Sequence, residues 1–151
     1  MRTMTLTGLF RLPAMSARGR RREDGGMPLT AVIVDDSRPF LESATTLLEQ
    51  EGLRVVGTAS TADEAVQCVR ASRPDVVLVD VHLGDTSGFD VARLLVEDGS
   101  TAPVIMVSTF SREDVEPMLD DTPAVGFVSK AELTASAVEG ILAGGHGPDA
   151  S

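Results

Sequence analysis

A doubly wound α/β fold, with a five-stranded parallel sheet and five helices on its two faces, is what this sequence predicts, and three observations predict it. Between Leu29 and Gly145, short apolar segments alternate five times with stretches of helical period. Their connecting loops are short, which favours right-handed βαβ crossovers. The central run Asp75-Val76-Val77-Leu78-Val79-Asp80 sets four apolar residues between two aspartates. That run is too apolar for a half-exposed strand and suits one buried on both faces.

The first strand is Ala31 to Val34, ending at Asp35-Asp36. Ser37 can cap the helix that follows, Pro39 suits its first turn, and Phe40, Ala44, Leu47 and Leu48 form one apolar stripe before Gly52 stops it. Leu53 to Gly57 is the second strand. Thr61-Ala62-Asp63-Glu64 has the capping-box pattern and opens a helix facing inward through Ala62, Ala65, Val66 and Val69. Arg73-Pro74 ends it and leads into the central strand. A polar loop from Val81 to Ser87 precedes a helix with an inner face of Phe89, Ala92, Leu95 and Val96. Pro103 to Val107 is the fourth strand and delivers Ser108. The next helix starts at Ser111 and is shortened or kinked by Pro117. Ala124 to Val128 is the fifth strand, delivering Ser129 and Lys130. Ser129 to Glu132 repeats the capping-box pattern, opening a last helix striped by Leu133, Ala137, Val138, Ile141 and Leu142.

With 151 residues, 42% of them hydrophobic, the chain is one domain with a single core. One cysteine, Cys68, excludes a disulfide framework and a multi-thiolate metal site. No apolar run approaches a membrane span, so a cytoplasmic location without membrane contact is expected. The net charge of −10 is uneven. Residues 1–26 carry six arginines against Glu23 and Asp24, so the rest holds 7 cations and 21 anions. An acidic body of this kind is not expected to bind DNA directly. Residues 1–28 are read as a disordered basic leader, 29–145 as the folded domain and 146–151 as a disordered tail.

In a parallel sheet, ligands gather at the carboxyl edge of the strands. Here that edge would collect Asp35, Asp36, Asp80, Ser108 and Lys130. Three carboxylates crowded together resist ionisation unless a cation sits among them. Magnesium suits such a site, since it takes a few carboxylates and keeps positions for phosphate oxygens. Lys130 is the only lysine among 13 cationic residues, which suggests that a compact point charge is wanted there.

These residues resemble those of bacterial response-regulator receiver domains, the CheY-like phosphoacceptors of two-component signalling. The resemblance spans residues 29 to 143. It rests jointly on the Asp35-Asp36 pair, Asp80, Ser108, and an aromatic residue, Phe127, three places before Lys130. It implies a flavodoxin-like sheet of order 2-1-3-4-5, and a sensor histidine kinase or phosphotransfer protein as phosphoryl donor. It further implies Asp80 as phosphoacceptor, Asp36 as direct magnesium ligand, Asp35 as indirect ligand, and the His82 backbone carbonyl as a further one. Lys130 and Ser108 would hold phosphoryl oxygens, and Ser108 with Phe127 would form a switch pair, Phe127 swinging inward on activation. The signal would pass to a downstream protein target through the fourth helix, fifth strand and fifth helix, a surface also open to homodimerisation. His82 and Phe110 would flank the path of attacking water and tune hydrolysis.

The chain departs from the family pattern in places. Gly84 stands where a proline is usual, Phe127 replaces tyrosine, and Ala131 follows Lys130 where proline is common. No output domain follows residue 143, so a stand-alone or truncated regulator is expected. Two rival classes remain. An aspartyl-nucleophile phosphatase would want a second acid two places after Asp80, where His82 stands. A pseudo-receiver, binding partners without phosphorylation, usually loses an acid or the lysine, and both are kept. His82 and His146 as metal ligands, or Cys68 as a nucleophile, find little support; Cys68 reads as packing.

Overall fold

The structure, a computed structural model, describes residues 28–110, 112–119 and 121–144. The expected leader, the tail with His146, and Ser111 as a helix start lie outside the described residues. Within them, β1 (Thr30–Val34), β2 (Arg54–Ala59), β3 (Val76–Asp80), β4 (Val104–Ser108) and β5 (Gly126–Ser129) alternate with α1 (Arg38–Gln50), α2 (Ala62–Ser72), α3 (Gly88–Glu97), α4 (Arg112–Leu119) and α5 (Ala135–Leu142). All sheet pairings are parallel, and the strand order is β2-β1-β3-β4-β5. The predicted fold class and strand order are those observed.

Alternating residues of the strands divide the core into two layers, as the two-residue period of a strand requires. Ala31, Ile33, Val76, Leu78, Ile105 and Val107 pack against α1 and α5. Val32, Val34, Val77, Val79, Met106 and Phe127 pack against α2 and α3, with Val115 of α4. Every residue of β3 is buried. Truncating its Leu78 to alanine would cost about 3 kcal/mol, because the packed layers cannot fully close the cavity.

Several local expectations shift. In α1 the buried stripe is Leu41, Ala44 and Leu48, while Leu47 is exposed and Phe40 only half-buried. In α3, Val91 faces the core and Val96 faces out. The second strand begins and ends later than predicted, at Arg54 and Ala59, with a register shift against β1 between Ala31 and Val32. Thr61 caps α2 by accepting from the Glu64 N–H, but the Glu64 carboxylate reaches back one residue further, to the Ser60 N–H. The Val81–Ser87 loop contains a two-rung antiparallel hairpin of His82–Leu83 with Thr86–Ser87.

The Ser129 capping box is not formed. Lys130–Glu132 make a single 3-10 turn without a side-chain cap, and α5 starts later, at Ala135, where Thr134 accepts from the Ala137 N–H. Glu51 also accepts from the Ala135 N–H at 2.7 Å, tying the end of α1 to the start of α5. As predicted, α4 is short: eight residues with Pro117 inside. No helix among the described residues is long and apolar enough to cross a membrane.

Candidate functional site

The register of the sheet builds the site. Val34, Val79 and Met106 lie side by side on β1, β3 and β4, so the next residues of β1 and β3, Asp35 and Asp80, emerge together at the carboxyl edge. One carboxylate oxygen each of Asp35, Asp36 and Asp80 lies within 4.8 Å of the others. Asp35 is fully buried and Asp80 nearly so, at 8% exposure, while Asp36 is open to solvent.

Lys130 enters from the end of β5. Its Nζ lies 2.8 Å from Asp35 Oδ2 and 3.8 Å from Asp80 Oδ2. Asp35 Oδ1 accepts from the Ser37 N–H at 2.7 Å, which also shapes the entry to α1. Asp35 Oδ2 accepts no aligned hydrogen bond, so the lysine charge alone attends it and a lone pair stays available. Burial pushes the Asp80 carboxyl up to about 6. The charge of Asp35, and less so that of Asp36, raises it too, while Lys130 and the His82 backbone N–H pull the other way. Three hard oxygen donors, one with a free lone pair in a buried setting, are a donor set that a magnesium-sized cation fits.

Two glycines make this geometry possible. A Cβ on Gly88 would run into the Asp80 carbonyl oxygen, so the chain after the hairpin can close over β3 only with glycine there. Gly84 has φ +62°, left-handed backbone that proline, fixed near −65°, cannot adopt. The departure at Gly84 thus follows from how this loop turns.

At the neighbouring strand ends, Ser108 is buried and its Oγ accepts from the Phe110 N–H at 3.0 Å. Phe110 lies exposed, its ring edge-on to that of His82 with centroids 5.2 Å apart. Phe127 is 1% exposed and lies within the α2–α3–α4 layer, so in this conformation its ring already has the inward position that the resemblance assigns to the activated form. Burial raises the Cys68 thiol above its usual value, and its hydrogen-bond neighbour Ser72 lies on the same helix, which agrees with packing.

Phe40, expected in the core stripe of α1, packs against the core only in part and belongs to the site as well. Its ring lies under Lys130, with Nζ 4.2 Å from the ring centroid. The available signal was position: Phe40 falls in the first turn of the helix that follows the Asp35-Asp36 pair, close to the lip.

A parallel sheet with acids and a lysine at its carboxyl edge defines an α/β domain with a charged site at the strand ends, and comparison supplies the family. Residues 31–139 match the response regulator receiver domain, and the chain belongs to that family. It is 35% identical over 106 residues to the "Probable transcriptional regulatory protein TcrX" of Mycobacterium tuberculosis, covering 70% of this chain and 44% of that one. It is 33% identical over 86 residues to a protein-glutamate methylesterase/protein-glutamine glutaminase of Hahella chejuensis, covering 57% of this chain and 25% of that one. The chain thus spans less than half the length of these relatives. Among solved structures, a two-component response regulator of the LuxR family from Aurantimonas superposes with a TM-score of 0.71 at 28% identity, over 81% of this chain and 91% of that one. A CheY-like receiver domain protein from Methanospirillum hungatei shares the fold, with a TM-score of 0.65 at 23% identity over 78% of this chain and 93% of that one.

Proposed function

We propose that the chain is a working phosphoacceptor of a two-component or phosphorelay system, with Asp80 as the residue that takes the phosphoryl group. The observation that carries this reading is the placement of the one lysine, 2.8 Å from Asp35 and 3.8 Å from Asp80, at the edge where all three acids meet. A domain used only as a docking module has no need of a cation held among buried acids, which cost stability to assemble.

In the proposed reaction an ionised Asp80 oxygen attacks the phosphorus of a phosphohistidine on a sensor kinase or phosphotransfer protein. The P–N bond breaks, an acyl phosphate P–O bond forms, and the departing imidazole keeps the electron pair. Lys130 offsets charge on the transferred group, and Ser108 offers a hydroxyl to its oxygens. Magnesium, held by Asp36 and Asp80 with Asp35 behind them and the His82 carbonyl as a further candidate, would supply the remaining charge neutralisation. Attack needs the carboxylate; without metal the Asp80 carboxyl is pushed up to about 6, and a cation held beside it would favour the ionised form. The product adds charge next to Ser108. Its Oγ must then leave the Phe110 N–H, which changes the start of the α4 segment and with it the face of α4, β5 and α5 offered to a target or a second copy.

Incubation with acetyl phosphate and magnesium, followed by intact-mass measurement, tests this reading without knowledge of the kinase. One phosphoryl adduct on the wild type and none on Asp80→Asn is the expected result. An unmodified wild type under conditions that modify another receiver domain would point to the pseudo-receiver reading.

A further inference from the structure

The contact between Lys130 and Phe40 lies outside the roles considered so far. Among the described residues, the Lys130 charge faces Asp35, Asp80 and the Phe40 ring. Its side chain is 17% exposed although an ammonium on four flexible carbons would ordinarily reach for water. The two carboxylates attract it from the sheet side. On the α1 side, the electron-rich face of the ring attracts the cation and its bulk displaces solvent.

We infer that Phe40 is a positioning residue for Lys130, holding the ammonium over the acid cluster so that it faces the acceptor before a phosphoryl group arrives. The inference rests on the phosphoacceptor reading of Asp80 and adds to it a residue on a different element. Phe40 is suited to this because its backbone is already fixed: its N–H donates to the Ser37 Oγ cap, and Ser37 in turn donates its own N–H to Asp35 Oδ1. The same short segment, residues 35–40, therefore sets both the acid and the ring between which the lysine lies. The half-buried ring also packs against the α1–α5 layer, which limits its own motion. Without the aromatic face, Lys130 would gain rotamers directed into solvent and spend less time near Asp80.

The sequence provides the probe for a test. Lys130 is the only lysine, so protein grown with isotope-labelled lysine gives one set of side-chain resonances, all from this site. In the wild type its ε-methylene protons should lie upfield of those of free lysine, shifted by the ring current of Phe40. Phe40→Leu keeps an apolar side chain and removes the π face. In that variant the signals should return toward the free position, and uptake from acetyl phosphate should slow roughly fivefold, the size expected for a partly desolvated cation–π contact. Phe40→Tyr restores the face and should restore both readouts; because loss of the ring alone removes its ring current, the lysine signal reports the contact, and slower uptake by a Leu variant of matching melting temperature is what separates positioning from a merely structural role. An unchanged lysine signal in the Leu variant overturns the contact. A changed signal with unchanged uptake overturns the role in transfer. Absence of uptake by the wild type overturns the reading of Asp80, and with it Phe40's role in transfer, while the lysine resonance still decides the contact on its own.

Discussion

Two buried aspartates bracket the central strand, and they live in opposite conditions. Asp75, at the amino end of β3, accepts from the Thr30 N–H at 2.8 Å and the Thr30 hydroxyl at 3.1 Å, while its own N–H donates to the Thr30 carbonyl at 2.9 Å. It clamps the starts of β1 and β3 together. Asp80, five residues on, meets two other carboxylates, a lysine too distant for a short hydrogen bond, and one backbone N–H. The same residue type, placed just before the strand and at its last position, thus serves cohesion once and, on the proposed reading, reactivity once. What separates them is the supply of donors: a buried carboxylate with enough hydrogen bonds is a fastener, and one without them keeps its charge in reserve.

The sharpest way to break this contrast is substitution at the reactive end. Asp80→Asn should abolish phosphoryl uptake entirely while the circular dichroism spectrum is unchanged. Without metal at neutral pH its melting temperature should equal or exceed that of the wild type, because one of three repelling charges is gone. The reverse is expected at the other end. Asp75→Ala strands the Thr30 N–H and hydroxyl in a poorly solvated place and should cost about 2 kcal/mol in urea unfolding. Its uptake rate, measured well below the melting transition, should stay close to wild type. Loss of uptake there would mean that the two ends of β3 are coupled.

Acidity sharpens the comparison further. The folded-state pKa of Asp80, about 6, lies above that of an aspartate in an unfolded chain, so the folded protein binds the proton more tightly. The stabilisation from that proton is complete below the unfolded pKa and disappears as pH rises through about 6. Metal-free wild type should therefore lose on the order of 2 kcal/mol over this window from Asp80 alone, and Asp80→Asn should lack that component. Urea midpoints across the window for the two proteins give the difference directly.

The smallest expected effects concern the rim. Phe110 and His82 stand edge to face, His82 two residues after the proposed acceptor Asp80, and we expect the phenyl ring to keep water away. Phe110→Glu should then shorten the lifetime of the phosphorylated protein several-fold, with His82→Ala changing it less, as followed by phosphate release with magnesium present. Equal lifetimes in all three proteins would show that water reaches the site by another route.

Much of this was legible from the residues. The β3 run and the polar groups ending β1, β4 and β5 were enough to place Asp35, Asp36, Asp80, Ser108 and Lys130 at one edge, because a parallel sheet aligns equivalent strand ends. Helix faces were harder. In α1, Phe40, Leu41, Ala44, Leu47 and Leu48 offer more than one possible stripe, and only docking against β1 selects the one through Leu41. The same ambiguity put Val96 where Val91 belongs. The Ser129 capping box failed because the chain inserts a 3-10 turn after β5, and Thr134 then offers a second cap beside Glu51, a partner remote in sequence. Phe40 was misread for a related reason: a side chain can be half core and half site, and hydrophobic period reports only the first half.

The site also has a history within each molecule's folding. Asp35 and Lys130 lie near opposite ends of the domain, and nothing brings them together until β5 has added to the edge of the sheet. β5 pairs with β4 at that edge, so Lys130 reaches Asp35 across three successive strand pairings, β5 with β4, β4 with β3 and β3 with β1. A chain whose last strand has not yet paired therefore holds its acids without their lysine. On the proposed reading, phosphoryl uptake would begin only once the last strand is in place, so the reaction would report completed folding as well as the arrival of a signal.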